Sequence, residues 1–287
     1  YSAFFVADHA THFYVLGGPD FVVGPDAPKG ERNILGVVRK LGRDAGARVM
    51  GLLSENHEIA KIIGGRYIHS VGALVGGMSK PITEDERKRI EQIARNSIET
   101  AKFSLKLFED LVLKNKAYLD MILSDAFTHQ TYYMGLVDEH NKVNFYDGKV
   151  RVVDPDGKEL VKYAPAEYLD NVAEKVVPWS YLKFPYLKKV GWKGLVTGKD
   201  SGVYMATPLS RLNAADGLTT PLAQAEYERF YATLGGKPVH HTLAIHWARV
   251  IELLYAAEHL LELSTDPEIT DPHVRNIPTE KPTEGVG

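Results

Sequence analysis

The stretch ITEDERKRIEQIARNSIETAKFSLKLFEDLV, residues 82–112, decides the class of fold. Just after Pro81, Thr83 followed three residues later by Glu86 forms a capping box, in which side chain and backbone satisfy each other's orphan groups at a helix start. Ile90, Ile93, Ser97, Ile98, Ala101, Leu105, Phe108 and Val112 then recur at helical spacing and share one face. One long helix is predicted over 83–115. A second is predicted over 241–264, where Leu243, Trp247, Val250, Ile251, Leu254, Tyr255, Glu258 and Leu261 keep the same period up to Pro267. Before the first of these, residues 2–16 read as a buried helix that Gly17, Gly18 and Pro19 close. Residues 31–63 hold two helical stretches, or one interrupted between Gly42 and Gly46. GGRYIHSVGALVGG, from Gly64 to Gly77, is a glycine-punctuated loop.

The texture changes near residue 140. KVNFY, KVRVV and KELVKY alternate with period two around the turns Asp147-Gly148 and DPDG, which predicts a three-stranded meander. Residues 164–210, rich in Tyr, Trp, Pro and Gly, read as irregular with short strands. The expected class is mainly α with a β-containing insertion (α+β): residues 1–287 as one domain with a helix-bundle core, and 140–205 as a β-rich lobe on its outside.

The chain has 287 residues, 44% of them hydrophobic and 25% charged, which is ordinary globular usage and enough for a sizeable core. A formal charge of −3 gives no footprint for nucleic acid, so no polynucleotide partner is expected. No run of about 18 apolar residues is present to span a bilayer. With no cysteine, disulfides, iron-sulfur ligation and thiol catalysis are excluded within this chain. The chain opens at Tyr1 in an apolar, helix-like run and stops in the Pro-rich PTEKPTEGVG, which leads us to expect an internal segment of a longer polypeptide.

Common signatures of nucleotide binding and hydrolysis are missing; VGGMSK, for example, has the wrong spacing for a phosphate loop. Asp8, His9 and His12 share a helical turn, and two imidazoles at i, i+3 can face one metal; packed histidines beside Phe5, Phe13 and Tyr14 explain them as well. His240, His241 and His246 form a looser cluster that the flank of a helix start also explains.

The assembled motifs say more than any one of them. HATHFYVLGGPDF (9–21), IGGRYIHSVGALVGG (63–77), ATPLSRLNAADGLTTPLA (206–223), WARVIELLYAAEHLLEL (247–263) and NIPTEKPTEGVG (276–287) occur in this order. Together they resemble the central part of the large subunit of nickel-iron hydrogenases, and within that family the soluble class of methanogens that does not reduce coenzyme F420 and feeds heterodisulfide reductase. The resemblance implies a helix-bundle core and a cytoplasmic enzyme that cleaves H2 heterolytically at a nickel-iron centre carrying CO and cyanide ligands. It also implies an iron-sulfur small subunit holding the clusters, with heterodisulfide reductase and an electron-transfer subunit beyond it. Asp20, in LGGPDF, matches the aspartate that supports the arginine above the metals, and is the catalytic candidate. His9 and His12 would stand behind the site. Arg66 and His69 would lie on the interface with the small subunit, which is expected to exceed about 2,000 Å².

One departure matters. The family ligates nickel and iron through two C-x-x-C pairs, and neither is in this chain, so no metal ligand is assigned here. Two expectations follow: a catalytic hydrogenase large subunit, or a non-catalytic scaffold of the hydrogenase and complex I superfamily without metal ligands.

Overall fold

The computed structural model describes every residue except Pro282, Glu284 and Gly287, so the end of the terminal NIPTEKPTEGVG motif lies partly outside the described residues. In chain order, helix α1 spans Ser2–Thr11, α2 Ile34–Leu41 and α3 Arg43–Gly64. A small hairpin of β1 (Ala73–Leu74) and β2 (Gly77–Met78) precedes α4, Glu84–Phe108. After α5 (Lys116–Ile122) come β3 (Tyr132–Val137), β4 (Lys149–Val153) and β5 (Glu159–Tyr163). Helix α6 (Tyr168–Asn171) leads into β6 (Val172–Lys175), β7 (Phe184–Leu187) and β8 (Tyr204–Met205). Helices α7 (Pro208–Ala214), α8 (Pro221–Thr233) and α9 (Ile245–Thr265) complete the order. The class is a mixed fold dominated by helices with a β-sheet insertion, as the sequence predicts.

The chain divides into two compact units, the first holding Tyr1–Lys116 and the stretch from Arg249 to 281, the second Ala117–Ala248. In the first unit, Thr83 accepts from the Glu86 N–H at 3.3 Å while the Glu86 carboxylate accepts from the Thr83 N–H at 3.0 Å, so the expected capping box starts α4. The stripe of α4 then does what its period requires. Ile90, Ile93 and Ala94 pack with Ala3 of α1, Ile59 of α3 and Leu260 of α9 into one buried cluster. Among these apolar contacts lie two polar ties. Asn56 of α3 donates to Ser97 of α4 at 3.0 Å. Ser104 spends its proton on the Thr100 carbonyl, so the buried Tyr14 hydroxyl donates to Ser104 at 2.7 Å. Burial pushes the Tyr14 phenol up to about 12.

Two local expectations are corrected. The first helix does not end at Gly17: widened π-helical turns continue over His12–Gly17 and Pro19–Val23, and the stop falls at Gly24. A Pro ring in a regular α-turn strikes the carbonyl four residues back, and a wider turn relieves that clash. Gly18 permits it, since a Cβ there would lie 2.9 Å from the Phe13 carbonyl oxygen. The second correction concerns the meander. Its outer strand is β3, not KVNFY, with Tyr133 opposite Val153 and Val137 opposite Lys149. Asn144 accepts from the N–H groups of Tyr146 and Asp147, folding this segment into an Asx turn that competes with a strand. The break between α2 and α3 falls at Gly42, inside the expected window.

In the second unit the sheet order is β5-β4-β3-β8, with β3 and β8 parallel and the other neighbours antiparallel. Tyr132, Val152, Tyr163 and Leu187 form its buried cluster. Phe230 of α8 meets Trp247 edge to face, with ring centroids 5.2 Å apart.

Returning to the first unit, the β1–β2 turn is closed by the chain's tail. Asn276 N–H donates to the Gly76 carbonyl and Met78 N–H to the Val274 carbonyl. Gly76 holds φ at 88°, and a Cβ there would lie 1.6 Å from the Asn276 oxygen. Gly76→Ala is therefore expected to cost more than about 1 kcal/mol and to release residues 274–278 from the turn. Amide hydrogen exchange at Met78 and Asn276 checks this, and unchanged protection would refute it.

Candidate functional site

The residues singled out in HATHFYVLGGPDF sit on one continuous helical run, and they do not converge on a common point. His9 is 1% exposed and its imidazole is held from both sides. Nε2 lies 2.9 Å from Glu252 Oε2, and Nδ1 lies 3.1 Å from an Arg249 guanidinium nitrogen. An arginine can only donate, so Nδ1 accepts and the ring proton on Nε2 goes to the carboxylate. Asp8, half exposed, stands 3.3 Å from the same Nδ1 and 3.6 Å from Arg249. Both imidazole nitrogens are thus committed to protein partners, which leaves no lone pair for a metal. Burial, then the Arg249 charge, lowers the His12 pKa below the ordinary histidine value.

Asp20 lies after the widened turns with its side chain 60% exposed, and pairs with Arg32 at 3.2 Å. The contact ties the end of the helical run to the Pro/Gly-rich loop, whose Asn33 caps α2 by accepting from Leu35 and Gly36. Arg66 and His69 are exposed on the loop between α3 and β1. His69 adopts the left-handed conformation at φ 52°, and the loop is pinned below it by the N–H groups of Val71 and Gly72 donating to the Gly64 carbonyl. In the second unit, His240 meets the Tyr133 hydroxyl at 2.6 Å and His241 the Thr128 hydroxyl at 3.1 Å, so this cluster is also spent on internal bonds.

A polar cluster that the sequence reading missed surrounds Lys237. Its ammonium donates to the Ala215 carbonyl and, at 3.0 Å, to the Tyr227 hydroxyl, with Asp216 3.6 Å away. Arg151 holds the other side, bonding Asp216, Glu159 and the Ala214 carbonyl at 2.8–2.9 Å. The only signal was Asp216 in NAADG, since the pairing of 151 with 216 and 237 depends on long-range folding.

The nickel-iron centre that the resemblance implies can be tested against these donors. There is no thiolate in the chain, and among the described residues no group of three or more His, Asp or Glu side chains is placed to hold a metal ion. Nickel and iron in such a centre need soft sulfur ligands, which imidazoles already bonded to carboxylate and hydroxyl do not replace. The residues present do not fit the group. The expectations of a catalytic hydrogenase, of an oxidoreductase acting on H2, and of nickel and iron bound by this chain are therefore overturned.

Comparison with known proteins agrees on the fold. The chain superposes on an NAD+-reducing nickel-iron hydrogenase in its H2-reduced state with a TM-score of 0.86 at 30% identity, covering 96% of this chain and 58% of the other. The fold is that of the nickel-iron hydrogenase large subunit. In sequence the chain is homologous to the iron-sulfur subunit of the F420-non-reducing hydrogenase of Archaeoglobus profundus, 44% identical over 100% of this chain and 59% of the relative. It is also 40% identical to the vhu subunit of the F420-non-reducing hydrogenase of Methanocaldococcus jannaschii, over 98% of this chain and 64% of the relative. The chain therefore spans about three fifths of the length of these relatives. No family model matches it.

Two outcomes check the site. Glu252→Ala strands His9 and Arg249 in the interior and is expected to lower unfolding free energy by about 3–5 kcal/mol, whereas Glu252→Gln keeps one hydrogen bond and loses less. Equal urea midpoints for both variants and the parent chain would refute the role. Burial pushes Lys237 down to about 8 from its usual 10.5. Between those two values the unfolded chain holds a proton that the folded chain has released, so this residue makes stability rise with pH across that window. Lys237→Met should remove that increment, read as the difference between parent and variant denaturation curves at pH 8 and at pH 10.

Proposed function

We propose that this chain is a non-catalytic scaffold that uses the hydrogenase large-subunit fold to hold an iron-sulfur partner subunit. One observation carries the reading: the hydrogenase fold is present over nearly the whole chain, while the sulfur ligands its metal centre needs are not. In this role Asp20 does structural work, anchoring the loop before α2 through Arg32, and His9 locks α1 to α9 through Glu252. His12 packs behind them.

The partner would dock on the 64–77 loop. Arg66 and His69 stand exposed there beside Tyr67, Ile68, Val71 and Val75, a mixture of donors and apolar surface suited to a protein contact. The clusters reside in that partner, because a chain without cysteine supplies no ligands for them. Heterodisulfide reductase and an electron-transfer subunit would lie further along the same assembly. Among the described residues no helix is long and apolar enough to cross a membrane, and we place the complex in the cytoplasm.

Co-expression of the full chain with an iron-sulfur small subunit from a related operon tests this. The expected result is a stable complex, no stoichiometric nickel in the chain by elemental analysis, and no dye reduction under H2. Arg66→Glu with His69→Ala should weaken association by about tenfold or more, the scale set by like-charge contacts at an interface. Stoichiometric nickel bound to this chain would overturn the scaffold reading, and unaltered association of the double variant would remove the loop from the interface.

A further inference from the structure

The β6–β7 hairpin of the second unit presents a surface that the scaffold role leaves unexplained. Its sequence, VAEKVVPWSYLKFPYLKKVGWKGLVTGK over residues 172–199, carries Lys175, Lys183, Lys188, Lys189, Lys193 and Lys199 against a single acid, Glu174, and no arginine. All six lysines are exposed. The whole chain is net negative at −3, so this excess of positive charge is local.

The charges are only partly compensated. Lys183 pairs with Glu174 at 2.9 Å and Lys199 with Asp154 at 2.8 Å. Lys188 and Lys189 donate to the Leu169 and Leu160 carbonyls, which leaves their net charge in place. Lys175 and Lys193 extend into solvent.

Between the lysines, the connection from β6 to β7 exposes large apolar groups. Trp179 is 67% exposed and Tyr181 96%, with Val176 and Leu182 beside them. Behind this edge the rings continue inward: Trp179 meets Phe184 at 5.2 Å, Phe184 meets Trp192 at 5.8 Å, and Trp192 meets Tyr186 at 6.0 Å. The exposed aromatics are therefore mounted on a ring ladder fixed to paired strands.

We propose that this hairpin is a peripheral docking tip for an anionic lipid surface. Trp and Tyr are amphipathic rings that settle at the depth of lipid headgroups, and the lysines around them would lie level with the phosphates. The absence of arginine favours a lipid layer over a protein. Protein interfaces enrich arginine, whose planar fork matches fixed carboxylates, and deplete lysine, whereas a flexible ammonium suits mobile headgroups. A polybasic segment near an anionic surface gains attraction with each lysine, and salt screens it.

The test mixes the full chain with vesicles of phosphatidylcholine alone or of phosphatidylcholine with phosphatidylserine, and reads sedimentation and tryptophan emission. The expected result is binding to the anionic vesicles only, reversed by salt, with a blue shift that Trp179→Phe removes. Lys175→Glu with Lys193→Glu should reduce partitioning by about tenfold or more. Trp179→Ala with Tyr181→Ala should do the same while leaving the thermal melt unchanged. Equal binding to both vesicle types, or full binding by the double lysine variant, would overturn the proposal. So would protection of residues 176–183 from hydrogen exchange by a protein partner with none on vesicles.

Discussion

Helix α9 is apolar on every side from Trp247 to Leu260, with Ala248, Val250, Ile251, Leu253, Leu254, Ala256 and Ala257 all buried. A helix of that kind cannot lie on a surface; it must be covered all round. Glu252 sits in the middle of it with no exposure, and a buried carboxylate is costly unless bonded. The partner comes from the far end of the chain. His9 of α1 donates to Glu252, and Arg249, one turn earlier on α9, donates back to His9. Because this polar pair has only one geometry that satisfies it, it sets the register of α1 against α9, and the apolar cluster of α1, α3, α4 and α9 forms around that register.

The same arrangement accounts for why histidines that resemble a metal site do not make one. In the helical run from Ser2 to Val23, His9 has spent both nitrogens on structure, and Asp20 faces solvent beside Arg32. Spacing alone cannot distinguish an imidazole waiting for a metal from one that bonds a distant carboxylate. Here the distant carboxylate is 243 residues away in sequence. The chemistry left to such a chain is that of surfaces: an exposed, backbone-pinned loop at 64–77 and an aromatic hairpin framed by lysines.

Local signals in the sequence were the dependable ones. The Thr83–Glu86 capping box, the α4 stripe and the break at Gly42 are written in residues a few positions apart, and the structure keeps them. Where two local devices competed, the reading failed. Gly17-Gly18-Pro19 reads as a helix stop, yet widened turns carry the helix through it because the buried face of Tyr14 and Pro19 continues. KVNFY alternates as a strand does, yet Asn144 turns it and TYYMGLV supplies the strand instead.

The sequence by itself determined the helical periods, the caps, and the missing thiols, since each of these is a property of neighbouring residues or of composition. It determined the hydrogenase likeness through motifs whose order alone is informative. Only the tertiary structure decided which polar groups are spent on one another: His9 with Glu252, and Arg151 with Asp216 and Glu159. The physical reason is that a buried polar group takes its partner from wherever the chain returns to it, and that return is governed by the packing of whole helices and strands rather than by residues nearby in sequence.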